Sequence, residues 1–516
     1  MASYAAITAY TSEHGSRPAS AASVSRQRSQ RHKKESGTIG SASWLSSVIN
    51  LLNTIVGAGV LAMPSALSHM GILLGTFVIL WAGLTAGFGL YLQTRCARYL
   101  ERGSASFFAL SQITYPNAAV MFDAAIAIKC FGVGISYLII IGDLMPGVVK
   151  GFNEEVEGFL VQRRFWITAF MLIVIPFSFL RRLDSLKYTS VVALISIGYL
   201  VILVVYHFAA GDTMSERGDI RFIEWAGAAS TLSSFPVIVF AYTCHQNMFS
   251  ILNEIKDNSP LRTTSVVTAS IGSAGAIYVL VAITGYLSFG NNVAGNIVAQ
   301  YIPSIASTIG KAAIVVLVMF SYPLQVHPCR ASVDAVLKWR PSRLRSSSTS
   351  PSSSPSRSSL LGKRNTSRPA RDEMGEARFA AITTVIVVLS YIVAMTVSSL
   401  EKVLAYVGST GSTSISFILP GLFYYKISSP HSPHHQRLMK DEDDEEEYAE
   451  DDDDADGADE GTTGREGGKQ AWWDLRLKGR HWRRDLLRKL SLALAIYGLV
   501  VMVTCLATNT FFVAAH

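Results

Sequence analysis

Charged side chains are scarce in this 516-residue chain, and long apolar stretches are abundant. Asp, Glu, Lys and Arg together make up 16% of the sequence, whereas soluble globular domains average about 25%. Hydrophobic residues account for 49%, and they recur in blocks long enough to cross a bilayer, which takes about 20 residues in a helix. The composition excludes a soluble multi-domain protein and predicts an all-α membrane protein with many spans.

Cysteine is also sparse, and the usual signatures of catalysis are missing from the sequence. The five cysteines are scattered, and no two have the spacing of a metal or redox site. The sequence contains no phosphate-binding loop, metal-binding cluster or nucleophile motif, and no basic-aromatic module for nucleic acid. We therefore expect no enzymatic activity, no cofactor and no nucleic-acid partner. Residues 1–42 are polar, so we expect no cleavable signal peptide.

Lys and Arg are concentrated in alternate connections between the apolar blocks, which predicts the topology. We count eleven spans, and a cytosolic N-terminus then places the basic connections at 95–102, 181–187, 256–262 and 330–378 in the cytosol. The predicted organisation is a disordered cytosolic tail at 1–42, a first repeat of five spans at 43–210, a second repeat of five spans at 211–426 with a disordered cytosolic loop at 339–376, an acidic cytosolic loop at 427–486, and an eleventh span at 487–516.

Two polar insertions interrupt the hydrophobic body. Residues 341–371 are rich in Ser, Arg and Pro, and residues 441–460 contain 15 acidic residues among 20. Neither composition can bury a core. We expect both to be solvated cytosolic segments that kinases or cytosolic partners could recognise, and the basic stretch at 476–489 could pair with the acidic run or bind anionic lipid.

The apolar stretch 43–68 is long enough to span the membrane, but its middle is unsuited to a plain helix. It contains Gly57-Ala58-Gly59, and Pro64 follows. Gly costs about 1 kcal/mol in a helix interior and Pro about 3 kcal/mol. This pattern favours a broken helix whose freed backbone groups hold a polar ligand. The alternative is a Gly-rich face for close packing between helices.

The sixth span, at 227–252, has a second interruption. We expect Pro236 to break its backbone ladder, and polar side chains follow at membrane depth, among them His245. An ionisable residue inside a span is a functional candidate because it is costly there. The alternative is a buried neutral histidine bonded to a neighbouring helix.

The two interruptions lie five spans apart, which is the pattern of a transporter built from inverted repeats with its binding site at the midplane. The free N–H groups and positive dipole of a half-helix suit a carboxylate, and free carbonyls suit an ammonium group or a cation. An α-amino acid carries both groups, although other small zwitterions satisfy the same requirement. An ion channel is disfavoured, because two matching breaks indicate a closed site and not a continuous pore.

Three sequence motifs resemble the amino acid/auxin permease family, in particular the fungal vacuolar amino acid transporters and the related animal sodium-coupled neutral amino acid transporters. They are INLLNTIVGAGVLAMPSAL at 49–67, FAYTCHQNMFSILNEI at 240–255 and YVGSTGSTSISFILPGLFYYK at 406–426. The resemblance implies eleven spans with a LeuT-like fold of five plus five helices and one extra helix. It further implies secondary active transport of amino acids by alternating access, with proton coupling, across the vacuolar membrane, from the lumen to the cytosol.

The resemblance also implies which residues form the site, and we consider these residues together with those at the two breaks. The expected substrate-binding residues are Gly57, Ala58, Gly59, Phe240, Ala241, Tyr242, Thr243 and Tyr137. The expected ion-coupling residues are Asn53, Ser321, His245 and Lys129.

Several of these residues have alternative roles. Lys129 lies deep in the third span, where it could snorkel, pair with a carboxylate of another span, or replace a coupling cation when protonated. Tyr137 could simply pack. Asn53 is a neutral ligand that suits sodium as well as a bound water, so a sodium-coupled neutral amino acid transporter at another membrane is the second hypothesis. A membrane receptor that senses amino acids and signals through the insertions is the third.

If His245 gates coupling, replacing it should move the pH profile of transport, because histidine changes charge near neutral pH. We predict that His245→Ala shifts the pH at which uptake into vesicles is half-maximal. An unchanged profile with a normal amount of protein in the membrane would leave His245 only a packing role.

Overall fold

The computed structural model describes residues 40–180, 189–338, 374–440 and 466–512. Most of the predicted tail, the Ser/Arg insertion and the acidic run at 441–460 lie outside the described residues, so their predicted disorder stays a prediction. The division into domains and repeats likewise stays a prediction.

The described chain is almost entirely helical, which agrees with the predicted all-α class. In chain order the α-helices are α1 (Trp44–Ile55), α2 (Met63–Ser68), α3 (Ile72–Ala97), α4 (Phe107–Thr114), α5 (Ala119–Phe152), α6 (Arg163–Ser178), α7 (Thr189–Ala210), α8 (Ala228–Ala241), α9 (His245–Glu254), α10 (Pro260–Phe289), α11 (Ile297–Gln300), α12 (Ile305–Lys338), α13 (Glu376–Thr396), α14 (Leu400–Val407), α15 (Leu419–Ile427) and α16 (Glu466–Ala507). Two π-helical turns, Gly408–Ser412 and Ser414–Ile418, join α14 to α15.

Seven helices of the described chain are long and apolar enough to cross a membrane, and α1 with the Ala58–Ser68 segment forms a further, bent span. The predicted count of eleven is therefore not confirmed by length and composition alone. Shorter helices explain part of the difference, because α8 and α9 have only 14 and 10 residues.

The first predicted break is present, and its cause lies in the glycines. Helix α1 ends at Ile55, and the chain turns by 48° before it continues. A 3-10 turn, Ala58–Ala62, follows, and its first backbone bond runs from the N–H of Val60 to the carbonyl of Gly57 at 3.2 Å. Pro64 lies in the first turn of α2, where its missing N–H removes no helical bond. The segment therefore consists of two half-helices.

The second break is also present, but not where the proline predicted it. Helix α8 continues through Pro236 and ends at Ala241, and α9 begins at His245. The expectation that Pro236 breaks the helix is wrong, because a proline removes only one helical bond and membrane helices tolerate that loss where neighbours pack closely. Such a neighbour is Gly408, where an added Cβ would lie only 2.0 Å from the carbonyl oxygen of Pro236.

The half-helices lie among long, continuous neighbours. Helices α5 and α12 pack against each other along much of their length, and α10 packs against α1, α2 and α3. The breaks are thus surrounded by protein, as irregular backbone at membrane depth requires.

A short extended contact fastens the start of the chain's described part to the end of α9. The N–H of Ala42 donates to the carbonyl of Glu254 at 2.9 Å, and the N–H of Lys256 donates to the carbonyl of Ala42 at 3.0 Å. An added Cβ at Gly40 would lie 2.2 Å from the same Glu254 oxygen, so the two strands of chain approach as closely as glycine allows. The segment before α1 is therefore bonded to the segment after α9.

Candidate functional site

A cavity of about 550 Å³ lies against both breaks. This volume falls within the range of about 300–1,000 Å³ typical of small-molecule sites. Its lining includes seven of the eight predicted substrate-binding residues and three of the four predicted ion-coupling residues. The residues brought together are Gly57, Ala58, Gly59, Phe240, Ala241, Thr243, Tyr137, Asn53, Ser321 and Lys129.

The cavity extends toward one side of the membrane. Its lining includes Asn50 of α1, Asn247 of α9 and His327 of α12. Asn50 lies in the middle of α1, Asn247 in the first turn of α9 and His327 in the second half of α12. These are the half-helices and the helix half that lead to the start of α1 and the ends of α9 and α12, which the distribution of basic residues predicts to be cytosolic. The Asn247 amide donates to the Thr54 hydroxyl at 3.1 Å, so α9 and α1 are linked at this mouth.

A smaller recess of about 70 Å³ opens beside the main cavity and shares Gly57, Ala58 and Tyr137 with it. Its remaining walls are largely aliphatic and come from α7 and α12, with contributions from Ile197, Leu200, Ile314, Leu317 and Val318. A ligand held at the breaks would therefore meet an apolar surface on one side.

The two glycines of the first break have different surroundings. A Cβ added at Gly57 would meet nothing within 4 Å, so this position faces open space. A Cβ added at Gly59 would lie 2.5 Å from the Cβ of Ala241, because the two half-helices touch there. Gly57 is thus placed to leave room for a ligand, and Gly59 to let the two breaks approach each other.

Sequence reasoning missed the residue that joins the two breaks. The Tyr278 hydroxyl of α10 lies 2.7 Å from the carbonyl oxygen of Ile55 and 2.8 Å from that of Ala241, and it donates to them. These carbonyls terminate α1 and α8, where helical bonding stops. No signal in the sequence distinguished Tyr278, since a tyrosine in a long apolar helix is common.

Tyr242 is the predicted substrate-binding residue whose side chain does not line the cavity. Its ring is fully buried and packs edge-on against Tyr278 at 5.0 Å between ring centroids. A Cβ at Gly83 or Gly275 would lie close to its hydroxyl, so the ring points toward α3 and α10. Only the backbone of Tyr242 belongs to the second break.

His245 is buried, and its side chain lies outside the cavity lining. Its Nε2 is 3.1 Å from the carbonyl oxygen of Ala86 in α3. This contact is typical of a buried histidine bonded to a neighbouring helix, and the predicted role in ion coupling stays a prediction.

Lys129 lies at the cavity wall and is buried. Its backbone packs against Gly411 in the π-helical stretch that follows α14. Among the described residues, no Asp or Glu forms an ion pair with Lys129, whereas Asp143 of the same helix pairs with Arg163 at 3.1 Å. Of the three alternatives for Lys129, pairing with a carboxylate is therefore not seen in the described chain.

Two half-helix breaks that meet at a cavity, within a bundle of long apolar helices, define a membrane transporter of the LeuT-like fold. Solved structures support the fold: the crystal structure of MhsT in complex with L-phenylalanine matches with a TM-score of 0.50 at 12% identity, covering 91% of this chain and 100% of that one. The inward-facing conformation of Mhp1 matches with a TM-score of 0.50 at 11% identity, covering 90% of each chain.

The chain belongs to the transmembrane amino acid transporter protein family, whose model matches residues 40–442. It is 46% identical over 397 residues to vacuolar amino acid transporter 5 of Schizosaccharomyces pombe, covering 76% of this chain and 87% of the relative. It is 41% identical over 406 residues to vacuolar amino acid transporter 6 of Saccharomyces cerevisiae, covering 75% and 90%.

Membership confirms the predicted family. The chain is an integral protein of the vacuolar membrane that transports amino acids across it. Because the family is one of transporters, the prediction that the chain is not an enzyme is also confirmed.

Filling the open space at Gly57 should block the site without disturbing the fold. We predict that Gly57→Val reduces amino acid flux to background while the amount of protein in the membrane stays normal. The matched control is Gly272→Val, because a Cβ at this exposed position of α10 also meets nothing within 4 Å but lies outside the cavity lining. Near-normal flux in Gly57→Val would refute the site.

Removing the Tyr278 hydroxyl should leave two buried carbonyls without their donor. We predict that Tyr278→Phe destabilises the purified protein by about 1–3 kcal/mol, the cost of an unsatisfied buried polar group, as measured by thermal unfolding in detergent.

The matched control is Tyr242→Phe. The Tyr242 hydroxyl is buried and has no hydrogen-bond partner among the described residues, so its removal should be neutral or stabilising. Equal losses of stability in the two variants would contradict the bridging role of Tyr278.

Proposed function

We propose that this protein is a proton-coupled secondary transporter that moves amino acids from the vacuolar lumen to the cytosol by alternating access. The observation that carries the proposal is the cavity at the two breaks, which is open toward the predicted cytosolic side. On the opposite side, close contacts between half-helices fill the space, such as that between Gly59 and Ala241. This arrangement is the one expected of an inward-facing transporter.

Recognition of the amino acid backbone follows from the chemistry of the breaks. The N–H groups of Gly57, Ala58 and Gly59 precede the first 3-10 bond and lie at the positive end of a half-helix, which suits a carboxylate. The carbonyls of Ile55 and Ala241 lie at the negative ends of α1 and α8, which suits an ammonium group. The apolar recess beside Gly57 would receive an apolar portion of the substrate side chain.

The proton is the coupling ion that we favour. In the described chain the cavity lining contains no Asp or Glu, and of its two basic residues, Lys129 and His327, Lys129 is the buried one. A lysine that gains and loses a proton can take the place of a coupling cation. The pH gradient across a vacuolar membrane would drive this exchange.

Sodium coupling is the second candidate function. Asn53 and Ser321 both line the main cavity and its recess, and their neutral oxygens are suitable ligands for a hard cation. The Ser321 hydroxyl donates to the carbonyl of Leu317 at 2.8 Å, which leaves its lone pairs available to an ion.

The two insertions extend the proposal to regulation. We propose that kinases or cytosolic partners recognise the Ser/Arg segment and the acidic segment. This recognition does not depend on the transport site.

Flux in vesicles separates the candidates. We predict that release of radiolabelled amino acid from proteoliposomes or vacuolar vesicles accelerates when the lumen is acidified, and that a protonophore removes this acceleration. A sodium gradient imposed at constant pH should have no effect. Acceleration by sodium alone would favour sodium coupling, and ligand binding without any flux would favour a receptor.

A further inference from the structure

The last helix carries a dense group of positive charges next to its membrane-spanning part, and we call residues 476–489 the basic segment. It contains seven Lys or Arg residues and one Asp. The basic segment lies in α16, which continues as one helix from Glu466 to Ala507. The long uncharged part of α16 begins after Lys489. The basic segment therefore lies on a helix that extends out of the membrane on the predicted cytosolic side.

Four arginines of the basic segment recur at intervals of four residues, which is the spacing of neighbours on a helix surface. They are Arg476, Arg480, Arg484 and Arg488. Like charges at this spacing repel each other and destabilise a helix. The segment has one acidic residue of its own, Asp485, so most of the charge that balances it has to come from outside the segment.

The acidic run 441–460 supplies the opposite charge within the same chain. It contains 15 Asp or Glu residues and no Lys or Arg. Only residues 461–465 separate the end of the run from the first residue of α16. Such a short tether gives the two segments a high effective concentration for each other. Charge and chain connectivity thus both favour the acidic run as the partner of the basic segment.

The described residues on either side of the acidic run lie at different heights along α16. Before the run, the His435 ring contacts the Tyr99 hydroxyl at 3.0 Å, just beyond the end of α3. Helix α3 packs against α15, and Arg488 of α16 donates to the Tyr425 carbonyl of α15 at 3.4 Å. After the run, Glu466 lies about 33 Å from Arg488 along the helix, at 1.5 Å per residue. The two ends of the connection therefore bracket the basic segment.

The length of the connection fits this distance. Residues 441–465 would have an end-to-end distance of about 25–30 Å as a flexible chain, and they could reach further because like charges extend a chain. A path alongside α16 thus requires neither a fully stretched nor a compacted connection.

Anionic lipid is a less suitable partner for the whole basic segment. Arg476 lies about 20 Å from Lys489 along the helix. Lipid headgroups extend about 5–7 Å beyond the hydrocarbon core, and charge is screened within about 8 Å at physiological ionic strength. The lipid surface therefore reaches the arginines nearest to the membrane, such as Arg484, but not the far end of the segment. An acidic chain alongside α16 reaches all of it.

We propose that the acidic run 441–460 docks along the basic segment of α16 and neutralises its charge. The contact consists of many exposed ion pairs, each of them weak and screened by salt, so docking is reversible. While the acidic run is docked, it keeps the basic segment from binding anionic membranes. The inference goes beyond the proposed transport and does not depend on it.

A carbodiimide cross-linker tests the contact, because it joins a carboxylate to a lysine amine without a spacer. Lys478 is the lysine in the middle of the arginine series. In the full-length protein, held as one copy in each phosphatidylcholine nanodisc, mass spectrometry should find cross-links from Lys478 to residues 441–460. Their yield should fall about fivefold between 50 mM and 1 M salt, because the screening length shrinks to about 3 Å at 1 M. Nanodiscs with one copy that give no such cross-links would overturn the inference.

Two variants with the same loss of charge identify the partner of the acidic run. The first replaces three arginines of the basic segment: Arg476→Gln, Arg480→Gln and Arg484→Gln. The control replaces three arginines of the Ser/Arg insertion: Arg343→Gln, Arg345→Gln and Arg357→Gln. The yield of Lys478 cross-links should fall about fivefold in the first variant, because fewer ion pairs hold the run, and should stay unchanged in the control. An unchanged yield in the first variant, or a similar fall in the control, would contradict docking on α16.

Binding to anionic vesicles tests whether the acidic run covers the basic segment. The nanodisc-held protein should bind weakly to added phosphatidylserine vesicles. Replacing the acidic residues of 441–460 by their amides should increase this binding at least about tenfold, because each exposed basic residue adds to the attraction of an anionic surface. Adding the three replacements in the basic segment should reverse most of the increase. Equal vesicle binding with and without the acidic charges would show that the run does not cover the segment.

Discussion

The structure depends on one constraint: backbone groups that leave helical bonding inside a membrane must find other partners. At the ends of α1 and α8 one tyrosine helps to satisfy this requirement. The hydroxyl of Tyr278 donates to the carbonyls of both Ile55 and Ala241. Because one donor is shared by two acceptors, the break after α1 and the break after α8 are held next to each other. It also leaves bonding capacity on both carbonyls, and this capacity is what a ligand with an ammonium group would use.

Close packing around the gaps serves the same constraint. Gly59 lets the first broken span touch Ala241, and Gly408 lets the π-helical stretch after α14 approach the carbonyl of Pro236. Both contacts fill space that water would otherwise enter from the predicted lumen. On the other side, polar residues such as Asn50 and Asn247 line an open path. Small residues thus allow close packing on the predicted lumenal side, and polar residues line the cavity on the predicted cytosolic side.

Much of the fold and part of the site followed from the sequence. The first break was predictable because glycines and a proline in an apolar span have a large intrinsic cost, and the family resemblance was specific because three motifs occur in order. The position of the second break was not predictable from Pro236, since α8 continues through this proline, against which Gly408 packs closely. The direction of the Tyr242 ring and the bridging role of Tyr278 depend on contacts between helices far apart in sequence, which no local pattern encodes.

The contact between Ala42 and the end of α9 has a mechanical consequence. It connects the predicted cytosolic halves of both interrupted spans by two main-chain hydrogen bonds, so an outward movement of one half must either carry the other with it or break these bonds. A displacement that begins at one gap is transmitted to the other through a few residues of extended chain. Helices α1 and α9 then move together, and the polar segment that precedes Ala42 is connected to both of them.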